Sequence, residues 1–334
     1  MKAAVIHKHG GLEEIVYQDF PDPEMAAGEV LVGIRAVALN HLDIFTLRGM
    51  PGIKVPLPMI GGGDMAGEIV EVGAKVGGWK PGDRVMVDPI NRKEGGMMGE
   101  TIPGGLAELA RVPAHQLVAL PDGVGFEAAA ALPVAYGAAH RMVVTRGKIE
   151  AGEKVLVLGA SGGVGTATVL LCKLRGAHVT ACSGAADKLA KLKALGADEV
   201  IDVARDDLVD EVIRLHGKPR YRGGAGGVDV VVNFTGGESW ARSLRTLRRH
   251  GRMLTCGATA GYDPSTDIRY IWSYELDIVG SNGWTTADLT RLLELVSEGR
   301  LKPVIDRVMP LSQAREALGM LERREVFGKL LLRP

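Results

Sequence analysis

Up to about Asp122 the apolar positions of the chain fall in short alternating runs, KAAVIH, EVLVGIRAVAL, GEIVEVG, GDRVMVD and LAELARV, punctuated by glycine and proline. Period-two alternation over so few residues predicts strands, and their number predicts a β-rich, barrel-like domain. From Gly152 the rhythm shifts to β-branched runs, KVLVLG, HVTACS, EVIDV, VDVVVNF, RMLTCG and DIVGSN, separated by helical stretches. That alternation predicts a parallel, doubly wound sheet with right-handed crossovers. GFEAAAALPVAYGAAHRMVVTRG lies between the two patterns and is expected to form linking helices. SLRTLRRHGR is expected to be a solvated helix, with Leu244 and Leu247 on its buried side. The tail returns to strand character in PVIDRVMPL, a helix in SQAREALGMLERRE and a last strand in GKLLL, and is expected to pack back on the first domain. The expected fold class is therefore α/β, with residues 1–122 and 301–334 in a β-rich domain and 123–300 in a dinucleotide-type domain.

Composition narrows the function classes. The 334 residues are long enough for two domains at about 150 residues each. Forty basic against forty acidic residues leave no net field for a phosphate backbone or an anionic membrane, so neither nucleic acid nor membrane is an expected partner. The longest apolar run is broken by Pro133 and Gly137, and the N-terminus turns polar after Ile6, so a cytoplasmic protein is expected. Three scattered cysteines, Cys172, Cys182 and Cys256, fit reduced core thiols better than a disulfide frame.

The run KVLVLG leads straight into GASGGVG, where Gly159, Gly162, Gly163 and Gly165 open a helix, with Ser161 and Val164 among them. Glycines at such a turn let backbone approach a pyrophosphate closely, and the helix N-terminus offers it free N–H groups. The strand HVTACS then ends in Ser183 and Gly184, where an acidic residue would ordinarily hold a free ribose. Ser183 can hydrogen-bond a 2′-phosphate and Lys188 can neutralise it, which favours NADPH over NADH. Asp187 reads as a first-turn acid of the next helix, and Lys188 reads equally well as a solvated helix residue.

With the barrel-like first domain, the GASGGVG loop, LGADEVID and the closing FGKLLL, the chain resembles the medium-chain dehydrogenase/reductase superfamily over nearly its whole length. The resemblance implies a GroES-like catalytic domain joined to a Rossmann domain. In the superfamily's zinc alcohol dehydrogenases the catalytic metal is held from C-H-x-D, from G-H-E-x-x-G and from a cysteine ahead of the linking helix. Those positions read here as Asn40 to Asp43 (N-H-L-D), Gly62 to Gly67 (G-G-D-M-A-G) and Val134. VDPINRKEGGMMGETIPGG, at the place of the structural zinc lobe, contains no cysteine. His41, Asp43 and Asp64 are too poor a ligand set for zinc, so no metal is expected.

What remains is similar to the zinc-independent quinone oxidoreductases, which implies NADPH-dependent reduction of a quinone, an enone or a related activated double bond, by a homodimer. In that reading the Asn40 amide contacts the nicotinamide ribose or the substrate carbonyl, and otherwise it merely satisfies its own turn. Asp43 orients Asn40, Arg48 or a backbone N–H, or caps a helix. Tyr136, if its segment is extended, shares a face with Val134 and could donate to a developing oxyanion; otherwise it is a packed aromatic. Family analogy adds Phe234, Thr235, Gly257, Ser281 and Asn282, which follow the later strands, to the cofactor site. The alternatives are a zinc-type alcohol dehydrogenase with altered ligands and a non-catalytic NADPH-binding redox sensor.

Overall fold

The alternating runs form strands and the glycine-punctuated helical stretches form helices in the computed structural model, which describes residues 1–50 and 52–334. In chain order the strands are β1 (Lys2–Ile6), β2 (Ile15–Asp19), β3 (Glu29–Ala38), β4 (Met59–Ile60), β5 (Asp64–Val72), β6 (Arg84–Val87), β7 (Leu109–Pro113), β8 (Leu117–Ala119), β9 (Lys154–Val157), β10 (His178–Ser183), β11 (Glu199–Asp202), β12 (Val228–Val232), β13 (Leu247–Thr255), β14 (Asp277–Gly280), β15 (Ile305–Pro310) and β16 (Lys329–Arg333). The helices are α1 (His41–Arg48), α2 (Phe126–Ala130), α3 (Ala138–His140), α4 (Gly163–Leu174), α5 (Ala186–Ala194), α6 (Leu208–His216), α7 (Glu238–Leu244), α8 (Ile268–Tyr274), α9 (Thr286–Ser297) and α10 (Ala314–Glu322). Leu132–Gly137 and Arg141–Arg146 are wound as π-helix.

The chain divides into two units, Met1–Ala135 with Thr286–Pro334, and Tyr136–Thr285. The cuts fall later than residue 122 and earlier than residue 300. Helix α9 goes with the first unit, where the Thr286 hydroxyl donates to the buried Asp88 carboxylate at 3.0 Å.

In the first unit a seven-stranded sheet runs β15-β16-β3-β5-β6-β8, with β7 also paired to β3, and a three-stranded sheet runs β2-β1-β4. β3 is antiparallel to both of its neighbours here: Ala38 lies opposite Leu331 on β16 and opposite Asp64 on β5. The end of β3 and the beginnings of β5 and β16 therefore coincide. Val30, Val32, Ile69, Leu330 and Leu332 belong to the core of this unit, and α10 adds Leu318 and Leu321.

The second unit is a six-stranded parallel sheet in the order β11-β10-β9-β12-β13-β14. Renumbered from β9, that is the doubly wound order 3-2-1-4-5-6, which places ligands beyond the carboxyl ends of the strands. One expected element differs. SLRTLRRHGR is the end of α7, a turn and the start of β13, and its Leu244 and Leu247 are both buried although they belong to different elements. The chain reverses at Arg245–Thr246, where two backbone N–H groups reach back to Arg242 and Ser243. Among the described residues no helix is long and apolar enough to cross a membrane.

Candidate functional site

Where β3 ends, Asn40 leaves the sheet in an extended conformation and caps the N-terminus of α1. Asp43, three residues on, accepts the Asn40 backbone N–H at 2.7 Å and the Gly62 N–H at 2.9 Å. It thus caps the helix and also ties it to the strand-to-strand segment before β5, while Arg48 pairs elsewhere, with Glu322. Burial pushes the Asp43 carboxyl up to about 6, against the two backbone N–H groups that favour its ionised form.

The Asn40 amide is engaged at both ends. Its Nδ2 donates to Asp64 Oδ2 at 2.9 Å, and its Oδ1 accepts from Lys329 Nζ at 2.6 Å. Lys329 Nζ also donates to Asp64 Oδ2 at 3.1 Å and to the Leu39 carbonyl at 2.9 Å. Lys329 and Asp64 are 2% and 0% exposed, so this ion pair is shut off from solvent. Asp64 Oδ1 takes the Val134 N–H at 2.9 Å. Burial raises the Asp64 pKa, opposed by the Lys329 ammonium and the Asn40 amide. The β3–β5 and β3–β16 registers bring the three side chains together. His41, the exposed first residue of α1, has its pKa lowered by the surrounding protein and by the charges of Arg324 and Lys329.

In the second unit, β9 leads through Gly159, whose φ is +62°, into α4 at Gly162 and Gly163. A Cβ on Gly165 would lie 2.3 Å from the Gly159 carbonyl oxygen and 2.6 Å from Ala160, so only glycine lets the helix pack this closely on the loop. The first N–H groups of α4, around Gly163, Val164 and Gly165, have no partner within the helix, and Ser161 stands half-buried ahead of them. These residues fit the phosphates of a dinucleotide, with donors, helix dipole and close backbone approach in one place.

Ser183 ends β10 and is buried; its Oγ accepts the Ala185 N–H at 3.2 Å. Asp187 is the first-turn acid of α5, as expected. Lys188 is buried on α5, which removes the solvated reading of this residue. Phe234 and Thr235 lie in a loop organised by Asn233, whose Oδ1 accepts the N–H groups of Thr235 and Gly236 at 3.0 and 2.9 Å. The Asn233 Nδ2 reaches the hydroxyls of Ser239 and Ser243 at 3.0 and 2.9 Å. The Gly257 carbonyl accepts from the Thr255 hydroxyl, and Ser281 and Asn282 follow β14. Ser281 Oγ is buried with no partner among the described residues, which leaves it able to bond a bound ligand.

Two family models match the chain: an alcohol dehydrogenase GroES-like domain over residues 26–122 and a zinc-binding dehydrogenase over residues 163–298. Among curated proteins the chain is 30% identical to the synaptic vesicle membrane protein VAT-1 homolog of Mus musculus, covering 100% of this chain and 84% of that protein. It is also 30% identical to an acryloyl-coenzyme A reductase of Metallosphaera sedula, covering 99% of both chains. A crystal structure of an NAD-dependent alcohol dehydrogenase superposes with a TM-score of 0.91 at 36% identity, over 100% of both chains. The chain belongs to the medium-chain dehydrogenase/reductase superfamily. As a member of that superfamily, this medium-chain dehydrogenase/reductase is an oxidoreductase of the kind that uses a nicotinamide cofactor.

The positions that carry zinc ligands in the superfamily's alcohol dehydrogenases do not fit zinc in this member. The Asn40 amide is held by Asp64 and Lys329. A Cβ on Gly63 would lie 2.7 Å from the Met98 carbonyl oxygen and 3.4 Å from Pro89 Cβ, so there is no room there for a histidine. Val134 offers only its N–H, which Asp64 takes. Among the described residues no group of three or more His, Cys, Asp or Glu side chains is placed to hold a metal ion.

Tyr136 requires a correction. Its segment is helical, which turns side chains two residues apart to opposite sides, and Tyr136 is completely buried. It is a packed aromatic of this dehydrogenase/reductase and not a donor beside Val134. The place of Lys329 beside Asn40, that of Asn233 in the loop after β12, and the pairing of Asp64 with Lys329 are not evident from the sequence. Their signals are a lone cation in FGKLLL, an amide closing VVVNF and an acid beginning an apolar strand.

Proposed function

We propose that this protein is an NADPH-dependent reductase that adds hydride to an activated double bond, in a quinone, an enone or an enoyl thioester, without a metal. The observation that carries this reading is the set of zinc-ligand positions, where an amide locked by a buried ion pair, a glycine pressed on a carbonyl and a valine stand in place of ligands. The name of the acryloyl-coenzyme A reductase relative supports reduction of a conjugated double bond.

The reduced nicotinamide, when bound, supplies the hydride. Negative charge then builds on the substrate oxygen, and in the absence of a Lewis acid a hydrogen-bond donor must meet it. Asn40 Nδ2 is the donor at this site. Asp43 holds the Asn40 backbone and Gly62 in place, and the N-terminus of α4 receives the cofactor phosphates. Asn282, Gly257, Phe234 and Thr235 border the carboxyl ends of β12, β13 and β14, where the nicotinamide half would lie.

Ser183 supports NADPH, with Lys188 as the cation for the 2′-phosphate. NADH is the second reading, because the buried Asp202 on β11 is paired in register with Ser183 and its charge would repel that phosphate. Titration with 2′,5′-ADP against 5′-AMP separates the two. A homodimer is supported by Ile268, Trp272 and Ile278, exposed on α8 and on the edge strand β14, and the cytoplasm by three unpaired cysteines.

The decisive experiment is steady-state oxidation of NADPH and NADH against quinones, enones and enoyl thioesters, with zinc measured in the same preparation. Turnover of one of these acceptors with far less than one zinc per chain is expected. Turnover of simple alcohols only, lost on chelation, would show the zinc alcohol dehydrogenase reading to be right.

A further inference from the structure

We propose that Lys329 and Asp64 are positioning residues for this reduction: together they lock the Asn40 amide in one orientation and leave one of its two Nδ2 hydrogens for the substrate oxygen. The inference rests on the reading of Asn40 given above. An ammonium has three hydrogens, and Lys329 spends them on Leu39 O at 2.9 Å, Asn40 Oδ1 at 2.6 Å and Asp64 Oδ2 at 3.1 Å. Asp64 is equally committed, with Oδ1 on the Val134 N–H and Oδ2 shared by Asn40 Nδ2 and Lys329 Nζ.

An asparagine amide can ordinarily turn over at little cost. Here a half-turn would set NH2 against the ammonium and C=O against the carboxylate, two repulsions in place of two charge-assisted bonds. The nitrogen is therefore fixed on the Asp64 side. One Nδ2 hydrogen goes to Asp64, and the other makes only a long hydrogen bond of 3.5 Å to the Ala38 carbonyl, which a substrate oxygen at ordinary distance would displace. That hydrogen is the one left to donate.

The pair itself cannot touch substrate, because both side chains are closed off from solvent while Asn40 is half-buried. Its effect must pass through the amide. Stability does not account for it either, since a buried ion pair is often matched or exceeded by apolar residues of the same volume.

The test is a cycle between the pair and Asn40. Asp64→Asn with Lys329→Met removes both charges and leaves neither buried alone. The double variant should stay folded by circular dichroism and bind NADPH, followed by nucleotide fluorescence, as the wild type does. Its kcat for an enone should fall about a hundredfold, the loss expected for one preorganised donor, with KM little changed. In an Asn40→Ala background the same two substitutions should have no further effect on kcat. Wild-type kcat in the double variant, or the same fold-loss in both backgrounds, would overturn the proposal. If the double variant does not fold, Asp64→Asn alone enters the same cycle: a loss of kcat confined to the Asn40 background supports the proposal, and no loss, or an equal loss in both backgrounds, overturns it. A wild-type protein that turns over none of the acceptors defeats the proposed function and this inference with it, whereas turnover with independent losses removes this inference only.

Discussion

Around Asn40 the strong donors and acceptors are paired within the protein, one Asn40 N–H only by a long 3.5 Å bond to Ala38, whereas the loop from Gly159 to Gly165 ends in backbone N–H groups that α4 cannot use. The first region is assembled from charges that its own fold brings together from three strand ends. The second is assembled from absences: no side chain at Gly165 and, among the described residues, no partner for the Ser281 hydroxyl. The contrast separates two ways of preparing a site. A charge cluster holds one group rigidly and tolerates loss of a member badly; a backbone cradle tolerates most side-chain changes outside it and fails when anything is added inside.

The largest effect should come from breaking the charge cluster unevenly. Lys329→Met leaves the fully buried Asp64 carboxylate without its counter-ion and should cost about 3–5 kcal/mol of stability, read by urea denaturation. The double variant described above should recover most of that loss. A single variant as stable as the wild type would mean that the pair is not a rigid unit.

Proton linkage gives the next largest effect. Asp43 has a folded pKa of about 6 against an ordinary 3.8, so the folded state holds a proton that the unfolded chain releases. The stability this contributes is complete below pH 3.8 and is lost as pH rises through 6. The stability of the wild type relative to Asp43→Asn should therefore fall between about pH 4 and pH 7, by up to about 3 kcal/mol if the whole shift is expressed. A flat difference would place the Asp43 carboxyl in a wetter setting than its burial indicates.

In the cradle, Gly165→Ala is the matching perturbation. The added methyl meets the Gly159 carbonyl oxygen at 2.3 Å, and backbone cannot yield as a side-chain tip does, so about 1–3 kcal/mol of stability and most nucleotide affinity should be lost together. Calorimetric melting with and without NADPH reads both. The smallest effect is expected at Tyr136→Phe, which should leave turnover unchanged because the side chain is fully buried. A large fall in kcat there would restore Tyr136 as a candidate donor.

Much of the fold could be read from the chain before its structure. The β-branched runs from KVLVLG to DIVGSN became β9 to β14, and the glycine spacing became the turn into α4, because both signals are local. Errors arose where a local pattern suits two structures. Leu244 and Leu247, three apart, look like one helix face, yet a turn between them puts one on α7 and the other on β13. LPVAYG, by contrast, lies in the stretch expected to form linking helices, and Leu132–Gly137 is helical; only the extended alternative considered for Tyr136 fails, so that Tyr136 points away from where an extended chain would aim it. The pairing of Lys329 with Asp64 was beyond local reading altogether, since 265 residues separate them and only the β3–β5 and β3–β16 registers bring them together.

The contact between Gly63 and the Met98 carbonyl bears on redesign. Anyone wishing to convert this scaffold into a metalloenzyme would begin with Asn40→Cys, Gly63→His and Val134→Cys. The middle change meets main chain at 2.7 Å, and Gly99, at φ +78°, already crowds the same segment, so that a Cβ there would lie 2.6 Å from the Gly63 nitrogen. Gly104 and Gly105 clamp the segment from the other side of the loop through hydrogen bonds to Ile60 and Gly62, each 2.7 Å long. Grafting ligands is thus a problem of loop construction before it is one of coordination: the stretch from Met97 to Gly105 would have to be rebuilt outward to make space for an imidazole.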